Sequence, residues 1–204
     1  MNRGNSIAKI LSGLFHPVVM PFFTLVILFQ THSFFAGMLP LKQVFFLMAS
    51  VILTTVACPF LTIYLLYRAK LVSSLYMYKK EERTLPLLSI GVFYYLTYYL
   101  LKEISLSVLF SYFMLGATLL VLICLFVNFF FKISLHMAGI GGVAGFYIGL
   151  CLRQGTPHLI LISILIFLCG LLGFARLVNG DHSLKEVFAG LLLGVGVLFF
   201  LMML

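Results

Sequence analysis

Three short stretches of this chain hold most of the residues able to do chemistry. The richest runs from Arg176 through Asp181 and His182 to Glu186. His182 and Glu186 are four residues apart, which places them on one face of a helix. A carboxylate in that position can hold one imidazole nitrogen, fix the tautomer and leave the other nitrogen nucleophilic. Asp181 and Ser183 are both candidate caps for that helix. A second stretch, 132–136, carries Lys132, Ser134 and His136 immediately before another apolar segment. Backbone N–H groups at such a helix start point at an anion. A third, 79–86, supplies Lys79, Lys80 and Arg83. Lysines and arginines in this company suit a phosphate group, arginine binding it bidentately. The plainer alternatives are that Lys79, Lys80 and Lys132 anchor membrane ends, and that His182 and Glu186 form a helix-end pair. Three such islands meeting on one face weaken the plainer alternatives.

The elements that position these residues must live in lipid. Of 204 residues 63% are hydrophobic and 9% charged, whereas a soluble domain carries roughly a quarter charged. The apolar runs are long and do not alternate, so the chain is expected to be all-α, a polytopic membrane helix bundle. Seven hydrophobic segments are expected at about 17–35, 44–67, 85–101, 104–131, 137–152, 158–175 and 186–204. The third is short and rich in tyrosine, so six or seven cross. The length predicts a single integral membrane domain, 1–204. The apolar run 7–14 has no cleavage site after it and is expected to stay as an anchor. Two segments separate each island from the next, and an even number of crossings returns the chain to the same face. Gly141, Gly145 and Gly149, like Gly190 and Gly194, recur every four residues. That spacing predicts close packing of the fifth and last segments. His16, His32 and His158 stand apart from the islands and read as interfacial. Cys58, Cys124, Cys151 and Cys169 form no Cys-x-x-Cys pair and read as small buried hydrophobes. The net charge of +8 favours anionic partners, but no basic stripe is long enough to track a nucleic acid.

The islands resemble the signatures of the type 2 phosphatidic acid phosphatase superfamily. That family's last signature is Ser-Arg, five residues, His, three residues, Asp. Here it reads Ala175-Arg176, five residues, His182, three residues, Glu186. Val187, Phe188, Ala189, Gly190 and Gly194 are similar to the family's final helix. The Pro-Ser-Gly-His signature appears as Ile133, Ser134, Leu135 and His136, keeping Ser and His. The first signature, Lys, six residues, Arg-Pro, is altered: Tyr76 stands at the Lys position before Arg83, Pro86 is displaced, and Lys79 or Lys80 takes the Lys role. The resemblance covers about residues 79–194.

The resemblance implies a metal-independent phosphatase acting on a lipid phosphomonoester or pyrophosphate. His182 would be the nucleophile, Glu186 its orienting partner and His136 the general acid and base. Arg176, Arg83, Lys79, Lys80, Ser134 and Lys132 would bind the substrate phosphate. No cofactor is expected; the partners are a lipid phosphate and membrane lipids. A lipid phosphotransferase would use the same residues, and a lipid-binding or transport protein with a degenerate site is the non-enzymatic alternative. Ten lysines and arginines fall on the island side against three on the other. By the positive-inside rule that points the islands to the cytoplasm. The resemblance implies instead the outer, periplasm-like face of a bacterial inner membrane.

Overall fold

The structure, a computed structural model, describes residues 3–31, 40–74, 81–103, 108–156 and 158–204. Helices account for nearly all of them, and no strand occurs among the described residues. Seven helical spans are long and apolar enough to cross a membrane: Ser6–Thr31, Leu41–Arg68, Glu81–Lys102, Val108–Phe130, Leu135–Gln154, Leu159–Val178 and Leu184–Met203. The protein is thus an all-α, polytopic membrane protein, and the tyrosine-rich third segment is, at 22 residues, long and apolar enough to cross. Large apolar side chains stand on its surface, Phe45, Phe130 and Ile160 among them at 75–80% exposure. In water such a surface would aggregate; in acyl chains it is the right solvent boundary.

The chain folds as two compact units. One comprises Met1–Met20 with Phe131–Leu204, the other Pro21–Phe130. The second unit contains α2 (Met20–Thr31, from Pro21 onward), α3 (Leu41–Ile52), α4 (Cys58–Arg68), α5 (Thr84–Glu103) and α6 (Val108–Phe130). A π-helical stretch, Leu53–Ala57, joins α3 to α4. Thr97 on α5 bonds there to the Thr54 hydroxyl at 2.8 Å, while Thr54 and Thr55 return their own protons to carbonyls one turn back. Buried hydroxyls are satisfied in this way without water.

The first unit holds the two richer islands. It contains α1 (Arg3–Leu14), a 3₁₀ turn (Pro17–Val19), α7 (Leu135–Gln154), α8 (Leu159–Val178) and α9 (Leu184–Met203). Helices α7 and α9 run parallel and nearly touch. A Cβ at Gly141 would sit 2.6 Å from the Leu191 carbonyl oxygen, and one at Gly190 would sit 2.5 Å from that of Ser134. At Gly145 and Gly194 a Cβ would press on the carbonyls of Val195 and Ala138. The glycine pattern is therefore a packing face, as expected, and only hydrogen atoms fit there. Cys124, Cys151 and Cys169 are buried thiols.

Between them α8 crosses in the opposite direction. Its end is turned by Asn179 at the C-cap and by Gly180 at φ +69°, a left-handed conformation that glycine adopts at no cost. Ser183 then caps α9, its hydroxyl accepting from the Glu186 N–H. The starts of α7 and α9 and the end of α8 consequently share one end of the unit.

Candidate functional site

His182 precedes α9 and is buried. Its Nδ1 lies 2.6 Å from Glu186 Oε2. The carboxylate only accepts, so Nδ1 carries the proton and the lone pair of the neutral ring is on Nε2. The spacing of four read from the sequence is thus a short, buried contact with a defined tautomer.

Ser134 occupies the N-cap of α7 but makes no cap bond with its side chain. Its main-chain N–H instead donates to the Glu186 carbonyl at 3.2 Å, tying the second island to the third. Its Oγ is fully buried and has no partner among the described residues. The first N–H groups of α7 lack acceptors within the helix and present a partial positive charge.

Arg176, in the last turn of α8, pairs through Nη1 with Asp181 Oδ2 at 3.0 Å. Its Nε is buried and without a partner among the described residues. Lys132 donates from Nζ to the Asp181 main-chain oxygen at 3.0 Å. Lys132 thereby fastens the loop that carries His182, with one of the three donors of its ammonium.

His136 in the first turn of α7 brings in a partner that the sequence did not announce. Its Nε2 lies 3.0 Å from the Ser12 carbonyl of α1, and a carbonyl fixes that nitrogen as the donor. The neutral ring then offers Nδ1 as its proton acceptor. The His16 ring stands edge-on to it, centroids 5.4 Å apart. His16 Nδ1 accepts from the Val18 N–H at 3.4 Å across the 3₁₀ turn. Ser12 Oγ meets Asn179 Nδ2 at 3.5 Å. His136 also lies within electrostatic reach of Arg176 and His182. His16, expected as interfacial, is therefore part of this cluster. The signal for it in the sequence was a histidine-proline break inside an otherwise apolar run, where a polar residue is costly unless used.

The first unit thus gathers His136, His182, Glu186, Arg176, Ser134 and Lys132. It adds Ser12 and His16, which sequence reasoning had not placed there, and Asn179 and Asp181 of the third stretch, to which it had given no part in the site. Arg83 closes the 3₁₀ turn Glu81–Arg83 in the second unit. Lys79, Lys80 and His32 lie outside the described residues. Among the described residues no group of three His, Cys, Asp or Glu side chains is placed to hold a metal ion.

Known protein families, curated proteins and solved structures give no match to this chain. The chemistry open to the cluster follows from its parts. It has an imidazole oriented by a carboxylate, a second imidazole with a fixed tautomer, an arginine with a spare buried donor, and a helix start with a spare buried hydroxyl. By type, the imidazoles are groups able to serve as nucleophile and as acid or base, and the arginine and the helix start are groups able to bind an anion.

Proposed function

We propose that this protein is a membrane phosphatase that hydrolyses a phosphomonoester or pyrophosphate of a lipid through a phosphohistidine. The observation that carries the reading is the 2.6 Å contact between His182 Nδ1 and Glu186 Oε2, in the same unit as the unpartnered Ser134 Oγ and Arg176 Nε. A nucleophile needs an orienting base, and a phosphoryl group needs donors for its equatorial oxygens.

The steps follow. His182 Nε2 attacks phosphorus, the P–N bond forms and the P–O bond to the leaving group breaks. His136, whose resting ring is neutral, takes a proton at Nδ1 from the monoanionic phosphate group as it binds and gives it to the departing oxygen. Glu186 stabilises the positive charge that grows on the His182 ring. Arg176, Ser134 and the first N–H groups of α7 hold the equatorial oxygens. Water then gives a proton to His136 and attacks phosphorus; the P–N bond breaks, inorganic phosphate leaves carrying that proton, and His136 and His182 return to their neutral forms.

On this reading the protein sits in a bacterial inner membrane with the site facing the periplasm, as the resemblance of its signatures implies. Phosphate release from a panel of lipid phosphates in detergent tests the activity, comparing the parent with His182→Ala and His136→Ala. Acid-labile label on the parent, absent from His182→Ala, is the expected intermediate. Equal turnover in all three proteins would overturn the reading. Product analysis with competing alcohols separates hydrolysis from phosphotransfer.

A further inference from the structure

Arg176 engages its carboxylate with one edge only. Nη1 holds Asp181 Oδ2 at 3.0 Å, whereas the buried Nε has no partner among the described residues. Arginine–carboxylate pairs are frequently bidentate, and this one is not. Ser134 Oγ, at 0% exposure, is the second unfilled donor in the cluster, at the start of a 20-residue helix; the third unfilled group, Asn179 Oδ1, is an acceptor. Asp181 itself is delivered by a fixed loop. Lys132 ties its main-chain oxygen, the left-handed Gly180 precedes it and the nucleophile candidate His182 follows. Its side chain is 32% exposed against 11% for Arg176, so the carboxylate has water to turn into when it lets go.

We infer that Asp181 is a built-in stand-in for the phosphate group: an arriving phosphate displaces it from Arg176, and its return expels the inorganic phosphate product. The inference rests on the phosphate reading of this site. A phosphate offers three oxygens to Nε, Nη1 and Ser134 Oγ, where the carboxylate fills only Nη1. A lipid phosphate, held also by its acyl chains, wins the exchange. Free phosphate has no such second hold and loses it. Asp181 is thus a specificity-determining residue, which lets the site take a phosphate on a lipid and refuse the same group once it is free.

Equilibrium dialysis of the full-length protein in detergent against labelled inorganic phosphate tests this. Asp181→Asn keeps the size and loses the charge, and should bind phosphate roughly tenfold tighter, the scale of one charged hydrogen bond. Asp181→Ser should do the same, which guards against an effect of the asparagine amide itself. In an Arg176→Gln background the gain should vanish, because the contested group is gone. Unchanged or weaker binding by both Asp181 variants, or a gain that survives Arg176→Gln, overturns the inference. Tighter phosphate binding in a protein that hydrolyses no lipid phosphate would leave the inference standing and sink the phosphatase reading. Hydrolysis with unchanged phosphate affinity in the variants would do the reverse. No binding by any form sinks both.

Discussion

At the scale of single residues, the site depends on which nitrogen of each imidazole carries a proton. Glu186 sets that for His182, and the Ser12 carbonyl sets it for His136. Glu186→Gln keeps the shape and removes the charge that the developing imidazolium needs. It should lower kcat for phosphate release by about 10²–10⁴-fold with KM little changed, since the loss falls on the transition state. Glu186→Asp should recover part of the rate, because the charge returns one methylene short. A Glu186→Gln enzyme with parental kcat would remove the carboxylate from the mechanism. His16 stands against the His136 ring. His16→Phe keeps an aromatic edge against that ring but loses the bond to the Val18 N–H. It should cost about tenfold in kcat, less than the 10²-fold or more that a general acid–base group itself contributes. Nitrogen-15 histidine spectra should show the Nε2–H form of His136 in the parent and in His16→Phe alike, because the Ser12 carbonyl sets it. An unaltered rate would reduce His16 to packing. The pair His182 and Glu186 was legible because a spacing of four on a helix is itself a geometry. The contacts of His136 with Ser12 and of Asn179 with Ser12 span 124 and 167 residues of chain. A main-chain carbonyl has no signature in a sequence, so that part of the site had to be seen folded.

At the scale of elements, the site is held together where α7 meets α9. Gly190 lets the Ser134 carbonyl approach, and the Ser134 N–H in turn reaches the Glu186 carbonyl. A Cβ at Gly190 would also come within 3.3 Å of the Ala138 nitrogen in the first turn of α7. Gly190→Ala should therefore spread the two helix starts, lower thermal stability in detergent by about 1–3 kcal/mol and abolish phosphate release. Gly196, on the same helix, has nothing within 4 Å of a built Cβ. Gly196→Ala should leave stability unchanged or raise it by about 0.5–1 kcal/mol and keep activity. Equal behaviour of the two variants would remove the close approach as the cause. The i, i+4 glycine pattern made this face legible before folding, since small residues at that interval serve few other purposes in lipid. The loop between α8 and α9 was less legible. Gly180 sits at φ +69° with nothing near its missing Cβ, so backbone strain alone opposes a side chain there. Gly180→Ala should cost about 1–2 kcal/mol and disturb Asp181 and His182 together.

At the scale of the whole molecule, composition alone made the membrane reading secure, and the seven long apolar helices agree with it. The single-domain expectation could not foresee that the chain's first twenty residues belong with its last seventy-four, because apolar patterning carries no information about partners. Orientation is where two physical arguments pull apart. The excess of lysine and arginine on the island side points that side to the cytoplasm. Two of those cations, however, are committed: Arg176 to the Asp181 carboxylate and Lys132 to its main-chain oxygen. Charges held inside a site are selected for chemistry, so they weigh less as topological signals. The geometry of α9 turns the question into one measurement. Its first residue follows the His182 loop, and its last, Met203, lies one crossing away. A site on the periplasmic face therefore requires a cytoplasmic C-terminus, whichever way the earlier helices run. A fluorescent protein fused after Leu204 should glow in a bacterial host, and an alkaline phosphatase fused there should stay inactive. The opposite pair of results would put His182 in the cytoplasm, where the lipid phosphates within reach are those of the inner leaflet.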